Sequence, residues 1–212
     1  MGRDFCWACR RPKASCLCPT KPPMETATKI VLLMHPMEWK REKCTTGRLA
    51  CLNIADSEIL PGLAFDEDPR FRALVDDPHN LPMLLYPGKG AIDLGTTPFP
   101  REILEGRRLV VFLIDATWAC AKAVARESPG LMALPRLMFT PKEKSRWIIK
   151  RQPAEWCLST LEATHELLIA LDEAGVDSYP DRVRLLDVFA RMQAYQVERR
   201  DRDGQARYIH HG

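Results

Sequence analysis

From residue 29 onward, short apolar runs alternate with longer stretches in which apolar residues recur at helical spacing. Residues 30–34, 82–86 and 109–114 are nearly continuous apolar segments, the pattern of strands buried on both faces of a parallel sheet. The last, Leu109-Val-Val-Phe-Leu-Ile114, is the most apolar. Residues 57–60 and 136–139 predict two shorter strands. Between these segments the spacing predicts helices over 39–55, 68–75 and 118–127, the last stopped by Ser128-Pro129-Gly130. Two further helices are predicted over 155–174 and from 182 to about 199. Cys157, Leu161, Thr164, Leu168 and Leu171 share one face of the first, and Val183, Leu186, Phe189 and Met192 stripe the second; both read as core faces. Strand and helix in alternation predict an α/β fold, a mostly parallel sheet with helices on both faces. Residues 200–212 lack periodicity and read as a solvated tail, and there is no internal repeat.

The amino end follows other rules. Cys6-x-x-Cys9 and Cys16-x-Cys18 precede a proline-rich stretch, and residues 1–25 contain too few apolar positions for a core of their own. Two close thiol pairs match the donor set of one tetrahedral zinc ion, whose binding would supply the folding energy of so short a segment. The competing readings are an unmetallated, disordered basic arm and incidental thiols that oxidise to disulfides only outside the cell. The chain thus divides into a cysteine-rich segment (1–25), an α/β domain (26–199) and a tail (200–212).

Composition adds little until its distribution is considered. The net charge is +3 over 212 residues. Positive charge is concentrated in residues 1–22 and in 140–151, where Lys142, Lys144, Arg146, Lys150 and Arg151 face one acid, Glu143. Separated basic blocks suit an anionic partner such as nucleic acid, and equally suit solvated faces. There is no apolar run of membrane-spanning length and no charged-then-apolar leader, which predicts a cytoplasmic protein that does not enter a membrane.

Candidate chemistry gathers after the strands. Asp115-Ala-Thr-Trp118 follows the most apolar strand, and open α/β sheets bind ligands beyond the carboxyl ends of their strands. Asp115 reads two ways: as the N-cap of the next helix, or as a carboxylate whose partial desolvation would suit a general base. Leu85-Tyr86-Pro87-Gly88 is a second such loop, with glycine permitting close backbone approach. The segment around Ser145, Arg146 and Trp147 is a third. His35-Pro-x-Glu38 precedes a helix on which Glu38, Arg41, Thr45 and Arg48 share one side, either a phosphate surface or an ordinary exposed face.

These motifs, in the order His35-Pro-Met-Glu38, Thr46-Gly-Arg-Leu-Ala50, Leu85-Tyr-Pro-Gly88, Asp115-Ala-Thr-Trp118 and Glu155-x-Cys-Leu-Ser159-Thr-x-Glu162-Ala163, resemble the DTW-domain family over about residues 6–175. The family is similar to the transfer RNA uridine aminocarboxypropyltransferases, which move a 3-amino-3-carboxypropyl group from S-adenosylmethionine to uridine N3. The resemblance implies a SPOUT-like fold with a carboxyl-terminal knot whose loops hold the co-substrate. It further implies Asp115 as base, with Leu85, Tyr86, Pro87, Gly88, Thr117 and Trp118 lining the co-substrate site. Arg146, with Ser145 or Ser159, would meet the co-substrate carboxylate. Arg41, Arg48, Lys142 and Lys144 would contact tRNA phosphates, Trp118 or Trp147 would stack on the target base, and Cys6, Cys9, Cys16 and Cys18 would hold structural zinc. Thr45 stands where many members carry asparagine, so a hydrogen bond from that amide is not expected here. Two rival readings stay open: a SPOUT-type RNA methyltransferase, and a non-enzymatic zinc-containing RNA-binding module.

Overall fold

The computed structural model describes residues 4–41, 45–140, 143–149 and 157–203. A six-stranded parallel sheet forms its centre. In chain order, β1 (Phe5–Cys6) and β2 (Arg11–Pro12) make a small antiparallel hairpin. The sheet strands are β3 (Lys29–Met34), β4 (Ser57–Pro61), β5 (Asn80–Leu85), β6 (Ile92–Asp93), β7 (Arg108–Asp115) and β8 (Arg136–Met138). They lie in the order β4-β3-β7-β5-β8-β6, every pair parallel. The most apolar strand, β7, is therefore central, between β3 and β5.

Successive strand residues point to opposite faces, and both faces are packed. Ile30, Leu32, Val111, Leu113 and Met83 join a cluster with α2 (Thr46–Asn53), α6 (Thr160–Glu173) and α7 (Arg184–Asp203). Val31, Leu33, Val110, Phe112 and Leu84 face α3 (Pro69–Val75), α4 (Trp118–Glu127) and α5 (Pro129–Ala133), contributing Phe71, Val124 and Leu131. The expected α/β fold with helices on both faces is what forms. No helix among the described residues is long and apolar enough to cross a membrane.

Four expectations need correction. Instead of one helix over 39–55 there are two, α1 (Pro36–Arg41) and α2, because Thr45 turns extended and its Oγ1 accepts the Arg48 N–H at 3.2 Å. A hydroxyl that caps a new helix competes with continuation of the old one. The helix expected over 155–174 starts at Thr160: Ser159 and Glu162 form a reciprocal capping box, while Glu155 lies outside the described residues. Val183 is exposed ahead of α7, whose buried stripe is Leu185, Val188, Phe189 and Met192. The final helix also runs on to Asp203, past the predicted start of the tail; residues 204–212 lie outside the described residues.

The cysteine-rich segment is docked on the domain. Leu17 and Met24 are buried in the α2/α6/α7 cluster, and Met24 exchanges backbone bonds of 2.8 and 2.9 Å with Asn53 and Ala55. Arg184 Nη1 donates to the Pro22 carbonyl at 2.6 Å, and the Arg11 guanidinium lies 4.4 Å from the Tyr195 ring centre.

His165 is buried on α6, with Nδ1 2.9 Å from the Tyr179 hydroxyl. Desolvation, helped by the positive charges of Arg146 and Arg182 and opposed by Glu162, lowers it from 6.5 to about 4. A depressed histidine favours the folded state only while neutral, so its contribution is whole above pH 6.5 and is lost as pH falls towards about 4. The loss should reach at most roughly 3 kcal/mol. Denaturant titrations at stepped pH should show this decline, and His165→Asn should flatten it.

Candidate active site

The parallel strands deliver their carboxyl ends to one edge. Met34 pairs with Asp115, Leu85 with both Leu113 and Leu137, and Asp93 with Met138, so the loops after β3, β5, β6, β7 and β8 leave side by side. Asp115 closes β7 and is only 5% exposed. It does not cap α4; that is done by Thr117, whose Oγ1 accepts the Cys120 N–H at 3.4 Å. Asp115 Oδ1 instead accepts a 2.7 Å hydrogen bond from the Thr160 hydroxyl, at the first turn of α6. Its carbonyl accepts the His35 N–H at 3.1 Å, which ties the loop after β3 to the same point.

Gly47 explains how α2 comes so close. A Cβ there would collide with Oδ2 of Asp115 and lie 2.9 Å from the Leu32 side chain, so only glycine lets the first turn of α2 rest on the carboxylate. Backbone N–H groups at a helix amino end also favour a nearby negative charge. Arg48, one residue on, is 8% exposed, its guanidinium 4.6 Å from the Trp39 ring centre. Burial pushes the neighbouring Cys51 thiol up to about 12; Ser57 and Arg48 oppose the shift and the Asp115 charge adds to it. Cys51 is therefore a neutral thiol, unsuited to act as a nucleophile.

The loop after β5 is divided in its exposure. Leu85 and Tyr86 are half-buried, with the Tyr86 N–H donated to the Leu137 carbonyl at 2.9 Å, whereas Pro87 and Gly88 are exposed. Gly88 lies against the Arg136 guanidinium, which itself donates to the Met132 carbonyl at 2.7 Å.

Residues 143–149 have no regular structure and are held by two buried side chains. Glu162 accepts from Ser145 Oγ at 2.9 Å, from the Arg146 N–H at 2.6 Å and from the Ser159 N–H at 2.8 Å. Gln193 of α7 accepts the Ile148 N–H at 2.7 Å and donates to the Arg146 carbonyl at 2.9 Å. Ser145 and Ser159 thus serve this frame, while the Arg146 guanidinium stays outside it, 3.4 Å from Glu143. Glu143, Lys144, Arg146, Leu158, Glu162, Glu166 and Leu186 line a small cleft there.

Several expected residues sit elsewhere than the sequence suggested. Arg48 is inside, stacked on Trp39, and not on an exposed helix side. Trp147 is half-buried against the core, its ring nearly perpendicular to that of Phe189 with centres 4.8 Å apart. Trp118 is 44% exposed at the start of α4, beside Asp115 in the chain. Arg41 ends α1, and Lys142 lies outside the described residues. Thr160, Glu162 and Gln193 were not singled out as site residues. The Ser159-x-x-Glu162 spacing was a visible capping-box signal, but nothing local pairs Thr160 with a carboxylate 45 positions earlier.

The four amino-terminal thiols do come together. All lie within 4.8 Å of one another, with Cys6 to Cys18 at 3.5 Å and Cys9 to Cys16 at 3.6 Å. A tetrahedral site with sulfur ligands at about 2.3 Å has sulfur–sulfur edges of about 3.8 Å, so the cluster has the dimensions of a metal site. Backbone N–H groups add to the fit. The Cys9 amide, then the Cys18 thiol, lowers Cys6 to about 6, and the Leu17 and Arg11 amides point at Cys9, whose thiol burial pushes up. Amides aimed at sulfur stabilise the thiolates a metal requires.

A buried carboxylate at the carboxyl ends of a parallel sheet, with a tetrathiol cluster docked on the same domain, defines an α/β domain with a candidate ligand site. The DTW domain model matches residues 3–197, cysteine segment included, and the chain belongs to the DTW-domain family. It is 32% identical over 176 residues to a Drosophila melanogaster protein named tRNA-uridine aminocarboxypropyltransferase 2, covering 80% of this chain and 67% of that one. A Mus musculus protein of the same name is 30% identical over 81% of this chain, which spans 57% of its length. An Arabidopsis thaliana tRNA-uridine aminocarboxypropyltransferase A is 24% identical over 91% of this chain and 81% of that protein. No solved structure matches.

Substitutions at the carboxylate's two supports should separate packing from hydrogen bonding. Gly47→Ala forces a methyl into Asp115 and should cost about 1–3 kcal/mol, as overpacking does. Thr160→Val removes the hydroxyl at almost constant volume and should cost about 1–3 kcal/mol by depriving a buried acceptor. Chemical denaturation measures both; an unchanged Gly47→Ala midpoint would mean that α2 stands off from Asp115.

Proposed function

We propose that this protein transfers the 3-amino-3-carboxypropyl group of S-adenosylmethionine to N3 of a uridine in tRNA, releasing methylthioadenosine. The observation that carries the reading is the buried Asp115 carboxylate, held by Thr160 and closed over by Gly47, at the carboxyl end of the central strand of a chain whose relatives are named tRNA-uridine aminocarboxypropyltransferases.

The residues fit the co-substrate's chemistry. An adenosine moiety asks for apolar surface and backbone groups, which Leu85, Tyr86, Pro87, Gly88 and the backbone of Thr117 offer at the carboxyl edge. A zwitterionic methionine end asks for paired opposite charges, and the cleft beside α6 is lined by Lys144 and Arg146 together with Glu143 and Glu166. Arg146 is the proposed partner of the carboxylate. When bound, S-adenosylmethionine supplies an electrophilic methylene carbon on a sulfonium. Asp115 takes the N3 proton of the uridine; N3 then forms its bond to that methylene as the carbon–sulfur bond breaks and its electron pair returns to sulfur. The loops must present the methylene, and not the methyl, in line with the nucleophile. Trp118 stacks on the extruded base, and Arg41, Lys142 and Lys144 follow phosphates. Arg48, being buried, is assigned to holding Trp39 and the amino end of α2. We further propose that the placement of β7 between β3 and β5 reflects a SPOUT-like knot in the carboxyl-terminal half, and that Cys6, Cys9, Cys16 and Cys18 hold one structural zinc.

Incubation with tRNA and S-adenosylmethionine, followed by mass analysis of nucleosides, should reveal an aminocarboxypropyl uridine; a methylated nucleoside instead would reassign the sulfonium carbon that is presented. Asp115→Asn keeps an oxygen to accept from Thr160, so the protein should fold and bind the co-substrate while transfer falls about a hundredfold or more. Near-normal transfer by that variant would remove Asp115 as the base.

Protein purified without added metal should contain close to one zinc per chain, absent after Cys6→Ser with Cys9→Ser. A metal-free protein with an intact amino end contradicts the assignment.

A further inference from the structure

Trp7 sits between two of the cluster cysteines, in Cys6-Trp7-Ala8-Cys9, and is 85% exposed. So large an apolar side chain left in water forgoes its burial, and its position invites a partner. It is mounted on a hairpin turn. The turn follows β1 and returns as β2, Arg10 takes a positive φ of 55°, and the Phe5 ring meets Trp7 nearly edge-on at 5.6 Å and 73°. Phe5 is itself half-buried, which leaves the indole displayed and not folded back onto the hairpin.

The hairpin is also placed relative to the candidate active site. Arg10 Nη1 donates to the Trp39 carbonyl at 3.0 Å, and its guanidinium lies 4.1 Å from the Trp39 ring centre. Trp39 belongs to α1, which begins directly after His35, the residue whose N–H binds the Asp115 carbonyl. The same ring carries the Arg48 guanidinium, one residue from Gly47 and its contact with Asp115. Trp7 and Asp115 are therefore connected by a short, packed path through one helix, along which Lys40 is exposed. An exposed indole on the hairpin, with an exposed lysine on the helix it packs against, supplies the two elements that bind single-stranded nucleic acid, a ring on which a base stacks and a cation for the backbone.

We infer that Trp7 is a stacking platform for an unpaired base of the RNA substrate, at a second contact point separate from the base that enters the Asp115 site. The inference rests on the tRNA reading above. Its role is in RNA affinity alone, since Trp7 lies outside the residues assigned to the co-substrate and to proton removal.

The test is tRNA binding by the metal-replete full chain, measured across a salt series for the wild type, Trp7→Ala and Trp7→Phe. A stacked base contributes about 1–3 kcal/mol, so Trp7→Ala should weaken binding roughly 5- to 150-fold. Phenylalanine should restore most of the loss. The slope of affinity against salt should stay unchanged, because no phosphate contact is removed. Metal content and thermal midpoint, measured alongside, establish that the hairpin remains intact. Wild-type affinity in a metal-replete Trp7→Ala protein overturns the platform, as does a loss that phenylalanine fails to repair. If the wild type binds no tRNA, the functional reading itself fails, a result distinct from either.

Discussion

A carboxylate withdrawn from water must be compensated where it lies, and in this chain the position of Asp115 organises much of what surrounds it. The hydroxyl that serves it comes from the first turn of α6, and the helix end that closes over it from α2, so both helices have narrow tolerances. Gly47 meets one of these tolerances by lacking a side chain. Thr45 meets another, because its cap sets where α2 begins and so where Gly47 falls. A helix that ran on unbroken from α1 would carry residue 47 to a different height. The break between the two helices is thus a condition of the site.

The same economy of polar groups holds the segment after β8. A stretch without helix or strand must satisfy its backbone by other means, and here Glu162 and Gln193 do so from α6 and α7. Glu162 is at once a capping residue, through its bonds with Ser159, and the anchor of Ser145 and Arg146. Through it the start of α6 becomes a junction: Thr160 faces Asp115, and two residues later Glu162 faces the cationic loop. In the proposed reaction these are the base and the group that meets the co-substrate, and they are held from opposite sides of the first turn of α6, since two residues span little more than half a helical turn.

The cysteine segment extends this frame on the other side. Its tetrathiol cluster shapes a hairpin with little core of its own, and the hairpin is fastened by Arg10 to Trp39 and by Met24 to the end of α2. The DTW domain model spans the segment as well, consistent with a single working unit. Cation over ring, twice on Trp39, links the hairpin to the helix that leaves the candidate site.

The alternation of apolar runs determined the α/β class, five of the six sheet strands and most helices, because burial on both faces of a parallel sheet leaves a local signature that the chain carries on its own, one that the two-residue β6 is too short to show. Trp118–Glu127 was legible to the residue, as were Leu161, Thr164, Leu168 and Leu171 on the core face of α6, while Cys157 lies ahead of that helix; the four cysteines were legible as one cluster. Asp115 was legible as a candidate, but the sequence could not choose between cap and site: a cap and a buried strand-end carboxylate read alike along the chain. Tertiary structure gave the cap to Thr117 and set the carboxylate against Thr160. Likewise it moved Arg48 and Trp147 inward and left Trp118 and Trp7 outside, since the burial of an amphipathic side chain depends on which elements pack above it. Local chemistry states what a residue can do; only the meeting of β7, α2 and α6, drawn from positions far apart in the chain, settles what it faces.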